Sequence, residues 1–441
     1  MQLSKYVKIF PNFSKEKPDY LLLYSTKKTS CVLISKSVFN SIKQGTLSPK
    51  NMESLSKLGF LVSDLNEERS QILGRFDEIN KRDRRFNAIV IMNLHCNLAC
   101  KYCFERGVKG KFYMSSETAE SLIDYIEKNI FHNKQEVNIC FYGGEPLLSF
   151  GLIKYISERL KVSAEKKGLN YTFCLVTNGT LLTRKRTEEL VQLGLKKAKI
   201  TIDGPRDNHN NFRPFKSGSE SFKIIIKNIK DIYDLINIQL GGNFNFFNYK
   251  DFPALLDFLY KEDLTPDKLS MIKFDPIIKT ETEFGLPDFN GGCKSTNEAW
   301  LLEASLFLRE EILKRGFNTP KLAPASCMVE LKNDIVVYFN GTFYKCPGFI
   351  GRKDFEIGSL WSGIKDYKES HALEFWKKSE CFDCEYLPLC FGGCRYMKLL
   401  RDGKIDDIDC RKPYLDAILE TFIKQEIKYI VKSFDNVGSL V

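Results

Sequence analysis

Between Phe86 and about Lys279 the chain alternates short apolar runs with amphipathic stretches. The candidate strands are Ala88–Leu94, Glu136–Tyr142, Tyr171–Thr177, Lys197–Ile202, Ile238–Asn245 and Ser270–Pro276. Helical spacing falls between them, as in Ser116–Ile130 and Phe222–Tyr233. Repeated strand–helix units predict an α/β fold, a parallel sheet curved into a partial (β/α)6 barrel. In such barrels the chemistry sits at the C-terminal ends of the strands.

The flanks read differently. In residues 1–75, Tyr20–Tyr24 and Cys31–Ile34 form a hairpin around the polar turn Ser25–Ser30, Ser37–Lys43 and Lys50–Leu58 have helical spacing, and Gly59 and Phe60–Val62 follow. This order predicts a separate winged-helix-like unit, with Asn66–Arg85 as a charged helical linker before a barrel spanning 86–290. From Gly291 the periodicity dissolves into cysteines and turns. A bridging region covers 291–320, with a helix at Leu301–Lys314; a cysteine-rich region covers 321–412, and an amphipathic helix begins at Pro413 and runs to Phe434 within 413–441.

With 441 residues the chain is long enough for two or three packed units. It has no apolar run near the roughly 20 residues that span a bilayer, and Met1–Tyr6 lacks the order of a signal peptide. These features predict a cytoplasmic protein without membrane association. The net charge of +10 comes without a basic block interleaved with aromatics, so no nucleic acid is expected as a partner. Fourteen cysteines are many for a reducing compartment, where clustered cysteines more often bind metal than form disulfides. Three lie in Cys96–Cys103 and seven in Cys327–Cys410; Cys31, Cys140, Cys174 and Cys293 are scattered.

Cys96, Cys100 and Cys103 follow directly on the first barrel strand. Three thiolates at this spacing hold three irons of a [4Fe–4S] cube and leave the fourth open to a small molecule. A zinc knuckle completed by His95 is the alternative. Three further strands end in Gly143-Gly144-Glu145, in Thr177-Asn178-Gly179 and in Thr201-Ile202-Asp203-Gly204, with Arg213 after the last. Singly, such sequences are plain turn chemistry.

Together these motifs resemble the radical S-adenosylmethionine (SAM) superfamily. The resemblance implies that the open iron chelates SAM and that an electron from the cluster cleaves it to methionine and a 5′-deoxyadenosyl radical. It further implies that Tyr102 is the aromatic before the last cysteine, that Gly143, Gly144 and Glu145 contact the SAM amino group, that Asn178 lies on the ribose side, and that Thr201 and Arg213 bind SAM. A guanidinium suits the bidentate hold on the carboxylate.

The C-terminal cysteines run Cys327-x13-Gly341-x4-Cys346, then Cys381-x2-Cys384-x5-Cys390-x3-Cys394-x15-Cys410. A pair of zinc ribbons is the bland reading. The pattern resembles the SPASM extension of radical SAM enzymes that modify peptides and proteins. It implies two auxiliary [4Fe–4S] clusters, three in all. Cys381, Cys384, Cys390 and Cys410 complete the second, while Cys327, Cys346 and Cys394 hold the first. An upstream ligand of some relatives corresponds to Lys321 here, leaving Cys293 as the nearby candidate. Without it, the first auxiliary cluster is open to a substrate thiolate.

The resemblance implies a peptide maturase of the thioether-forming (sactipeptide or ranthipeptide) type. Its substrate is a ribosomally made, cysteine-rich precursor peptide whose leader docks on the N-terminal unit, and its electron donor is a flavodoxin or ferredoxin. That unit also reads as a stabilising cap. Carbon–carbon crosslinking and formylglycine formation on a sulfatase are the alternatives. Sulfatase-maturing relatives carry an aspartate directly after the cysteine matching Cys346, where this chain has Pro347. A non-catalytic iron–sulfur or zinc protein binding peptide or nucleic acid is the alternative outside catalysis.

Overall fold

A computed structural model describes residues 1–11, 13, 17–103, 105–278, 298–325 and 327–429. Cys293 and the stretch after Tyr429 lie outside the described residues, so the expectations placed on them are not addressed by the fold. The chain divides into two compact units: one combines 1–82, 321–331 and 372–424, and the other combines 83–320, 332–371 and 425–441.

In the first unit the strands are β1 (Gln2–Leu3), β2 (Val7–Phe10), β3 (Tyr20–Ser25), β4 (Cys31–Ser35) and β5 (Leu61–Val62). The expected hairpin gains a third strand, giving an antiparallel sheet in the order β2-β3-β4, and β1 pairs with β5. Helices α1 (Lys36–Gln44) and α2 (Pro49–Lys57) begin at Ser35 and Ser48, whose side chains accept from the Val38 and Asn51 amides. Leu23, Ile34, Ile42, Leu55 and Phe60 form a buried cluster beneath them. The linker is two helices, α3 (Leu65–Leu73) and α4 (Arg75–Arg82).

This N-terminal part does not stand alone. Tyr6, Ile72 and Phe76 share one core with Phe375, Trp376, Cys381, Leu387 and Phe391. The 321–412 region is likewise not one body, since 332–371 belongs to the second unit. The reason is a strand with only four residues of pattern. After β6 (Arg85–Asn93), β7 (Glu136–Gly143), β8 (Tyr171–Thr177), β9 (Leu195–Thr201), β10 (Asn237–Phe244) and β11 (Met271–Pro276) comes β12 (Asp334–Val337). It pairs parallel with β6 and buries Ile335, Val336 and Val337 completely.

β13 (Thr342–Tyr344), β14 (Gly358–Ser359) and β15 (Gly363–Ile364) extend the sheet antiparallel. The order among the described residues is β11-β10-β9-β8-β7-β6-β12-β13-β14-β15. Six sequential parallel strands, β6 to β11, are the partial barrel expected. Crossover helices such as α5 (Ser116–Tyr125), α6 (Phe150–Lys166), α7 (Arg184–Gln192), α8 (Arg206–Phe212), α9 (Phe222–Ile232) and α10 (Phe252–Lys261) connect them. In α9 the buried face is Phe222, Ile225, Ile226, Ile229 and Ile232. Helix α11 (Ala299–Lys314) follows, and α15 (Lys412–Tyr429) comes after the short α12 (Ser379–Phe382), α13 (Leu387–Cys390) and α14 (Arg395–Asp402).

Candidate active site

The Cys96–Cys103 loop leaves β6 and is held from three sides within the barrel unit. Asn93 Nδ2 donates to the Glu145 carbonyl at 3.0 Å and to Ser149 Oγ at 2.9 Å. The amides of Gly144 and Glu145 donate to the carbonyls of Asn93 at 2.9 Å and His95 at 2.8 Å. A Cβ on Gly144 would lie 2.3 Å from the His95 carbonyl oxygen, so the glycine serves a close approach of β7 to the cysteine loop.

Glu145 is fully buried. Its carboxylate accepts from Thr177 Oγ1 at 2.8 and 2.9 Å, the Asn178 amide at 2.8 Å and the Leu147 amide at 3.0 Å. Burial pushes its pKa up, against those donors. The side chain thus ties the ends of β7 and β8 together. Asn178 continues the tie to the cysteines, since its Nδ2 lies 3.7 Å from Cys96 Sγ and 2.8 Å from Asn97 Oδ1. The Leu98 amide points at the same sulfur at 3.5 Å. Lys109 hydrogen-bonds Cys103; burial lowers its pKa, and the Cys103, Cys96 and Cys100 sulfurs outweigh burial and raise it. Burial raises the Cys96 thiol and pushes Cys100 up to about 11.

A second network closes the other side. Tyr102 hydroxyl donates to Asp203 Oδ2, and it accepts from Arg213 Nη1 at 2.7 Å and Asn243 Nδ2 at 3.0 Å. Asp203 and Arg213 lie 3.8 Å apart as an ion pair, both nearly buried. Burial opposes the Arg213 charge, but Cys100, Tyr102 and Asp203 outweigh it and hold the guanidinium ionised. Arg213 Nε is buried with no protein partner. Behind it, His209 Nδ1 accepts from the Asp203 amide at 3.2 Å. Thr201 ends β9 half-buried beside this network. Asp203 was visible in the sequence only as a turn residue. Asn243 was missed, although its place near the end of the fifth barrel strand is the signal that would have found it.

The C-terminal cysteines fall into two sets. In the first unit Cys381, Cys384, Cys390 and Cys410 are electrostatic neighbours, and burial together with the other sulfurs pushes Cys381 up to about 12. Gly393 at φ 82 lets Asp409 pass over it, where a Cβ would stand 2.0 Å from the Asp409 carbonyl; this places Cys410 near Cys390. The Asp409 carboxylate accepts the Cys394 amide at 3.1 Å. Cys327 adjoins Cys394 and receives Arg395 Nη1 at 3.6 Å, while the buried guanidinium also pairs with Glu330. Cys346 is carried by the other unit, at the turn after β13.

Among the described residues no three His, Cys, Asp or Glu side chains are placed to hold one metal ion. A [4Fe–4S] cube gives each thiolate its own iron, so the three-thiol loop with donors aimed at its sulfurs, and the four-thiol set, both fit that cofactor.

The family profile described as "Radical SAM superfamily" matches residues 90–259. A serine-type anaerobic sulfatase-maturating enzyme of Bacteroides thetaiotaomicron is 33% identical over 346 residues, covering 68% of this chain and 80% of that protein. The chain belongs to the radical SAM superfamily. As a radical SAM enzyme it takes S-adenosylmethionine and a [4Fe–4S] cluster. The radical SAM cyclopropyl synthase TigE of Paramaledivibacter caminithermalis is 23% identical over 373 residues, covering 76% of this chain and 74% of TigE. Among solved structures, anSMEcpe with bound AdoMet and Kp18Cys peptide shares the fold with a TM-score of 0.61 at 17% identity, over 80% of this chain and 100% of that one. No helix among the described residues is long and apolar enough to cross a membrane.

Proposed function

We propose that this radical SAM enzyme matures a ribosomally made, cysteine-rich precursor peptide by joining cysteine sulfur to a carbon as a thioether. The observation that carries the reading is the pairing of a three-thiol loop at the barrel's strand ends with a separate, ordered set of seven cysteines. Cys96, Cys100 and Cys103 hold the SAM-binding cluster. When bound, that cluster supplies the electron that cleaves SAM and yields the 5′-deoxyadenosyl radical. Arg213, with a free buried Nε, takes the SAM carboxylate, and Tyr102 and Asp203 keep its guanidinium in place. Asn178 faces the ribose side, and Glu145 orients the Thr177–Asn178 turn against the cysteine loop. Thr201 lines the same end.

Two auxiliary clusters belong to the reading. Cys381, Cys384, Cys390 and Cys410 hold one. Cys327, Cys346 and Cys394 hold the other, with a place for a substrate thiolate. Replacing Cys293 with Ala should leave iron content and spectrum unchanged; loss of that cluster would show Cys293 to be its fourth ligand. Among the described residues β4 is an edge strand of the β2-β3-β4 sheet, the place where an extended leader would add a strand. A flavodoxin or ferredoxin supplies the electron.

A carbon–carbon bond-forming reaction is the second reading, favoured by the similarity to TigE. Sulfatase maturation draws on the Bacteroides relative, but Pro347 stands where those enzymes carry an aspartate. The deciding experiment is mass spectrometry of a cysteine-rich peptide encoded beside the gene, after anaerobic incubation with SAM and reductant. Loss of two hydrogens with fewer alkylatable thiols establishes the thioether. The same loss with every thiol free assigns carbon–carbon crosslinking. A product carrying formylglycine assigns sulfatase maturation.

A further inference from the structure

Two of the scattered cysteines meet inside the barrel. Cys140 on β7 and Cys174 on β8 are direct register partners. Neighbouring strands lie about 4.8 Å apart and their partners point to the same face, which brings the two Cα atoms within the roughly 4.4–6.8 Å that a disulfide spans. The two thiols hydrogen-bond one another. Asn138 and Tyr142 share the Cys140 face of β7, and Tyr142 feels both Cys140 and Cys103, so this face leads toward the SAM-side loop.

The surroundings are cationic. Lys197 and Lys199 on β9 act on Cys140, and Lys197 acts on Cys174. The stem of Lys199 lies across Gly241, where a Cβ would meet its Cε at 3.0 Å. The pair is reached from the Cys140 side: Cys140 is half-buried and Lys197 is exposed, while Cys174 is buried with 8% of its surface accessible. Reactive cysteines occupy such electropositive, partly exposed settings, whereas inert structural ones sit in apolar cores.

We propose that Cys140 and Cys174 are a redox-active dithiol that low-molecular-weight disulfides oxidise to an intrachain disulfide. Lys197 is the direct register partner of Cys174 on β9, and its ammonium favours the Cys174 thiolate as the attacking group. Its thiolate attacks one sulfur of glutathione disulfide, that S–S bond breaks, and one glutathione thiolate leaves. Cys140, losing its proton to water, then attacks Cys174 Sγ in the mixed disulfide and expels the second glutathione. Two protein thiols are oxidised and one glutathione disulfide is reduced to two glutathiones. The new bond ties β7 to β8 a few residues before Glu145 and Thr177.

The test uses the full-length holoenzyme, prepared anaerobically and incubated with glutathione disulfide, then alkylated in denaturant and mapped by peptide mass spectrometry. The expected result is a linked Cys140–Cys174 peptide lighter by two hydrogens, lost on reduction with dithiothreitol. Cys140→Ser should instead trap glutathione on Cys174. Recovery of both residues as alkylated thiols in the unmodified sequence, or linkage only among Cys96–Cys103 and Cys327–Cys410, overturns the proposal whether or not the variant folds.

Discussion

Arg213 concentrates the demands of the site in one side chain. Its charge is buried, anchored on one side by Asp203 and Tyr102, and its buried Nε has no partner among the described residues, which is why the SAM carboxylate is proposed there. Lysine retains the charge but loses the planar fork. Arg213→Lys should therefore weaken SAM binding by about 10- to 100-fold, the worth of one charged hydrogen bond. Equilibrium dialysis of the reconstituted enzyme measures it, and unchanged affinity would place the carboxylate elsewhere. His209 supports this network in its neutral form. Burial, aided by the Arg213 charge, pushes its imidazole down to about 3. A folded pKa below the unfolded value of about 6.5 means that its contribution is complete above pH 6.5. That contribution is lost as pH falls toward 3, by about 1.4 kcal/mol per pH unit. Between pH 7 and pH 5 the wild type should thus lose about 2 kcal/mol more stability than His209→Gln. Urea unfolding at the two pH values reads this slope, and parallel losses would mean that His209 titrates normally.

Elements matter here chiefly through their ends. The backbone after β7 runs so close to the backbone after β6 that a methyl group on Gly144 meets the His95 carbonyl at 2.3 Å. Gly144→Ala should push His95 and the adjoining Cys96 away and lower iron incorporation at the SAM-side loop, with the iron proposed for the C-terminal cysteines retained. Iron and sulfide analysis beside circular dichroism checks it; full iron content with a native spectrum would show that the loop has slack. The six barrel strands were legible because each combines an apolar run with a helical stretch long enough to set a period. β12 was not, since four residues carry no period, and its place beside β6 depends on backbone hydrogen bonds rather than on its own pattern. For the same reason β2 was missed while its hairpin partners β3 and β4 were found.

At the scale of the molecule, the N-terminal segment and the four-cysteine set form one folded body. Tyr6, Ile72 and Phe76 complete the core around Trp376, Cys381 and Phe391, and Lys5 and Lys8 pair with Asp383 and Glu385. A chain lacking residues 1–82 should therefore lose the iron proposed for Cys381, Cys384, Cys390 and Cys410, besides any leader binding. A truncated protein with its full iron complement, by elemental analysis, would refute this shared core.

The sequence by itself determined the barrel, the three-thiol loop and the order of the seven C-terminal cysteines, because periodicity and spacing are local properties that each segment carries with it. Only tertiary structure decided that Glu145 turns its carboxylate inward to Thr177 and Asn178, that Asn243 joins Tyr102 and Asp203, that Cys140 faces Cys174, and that residues 1–82 share a core with the cysteine-rich region. These are pairings between residues far apart in the chain. They are selected by the burial of apolar surface and the need to satisfy buried polar groups, and no local window of sequence records either one.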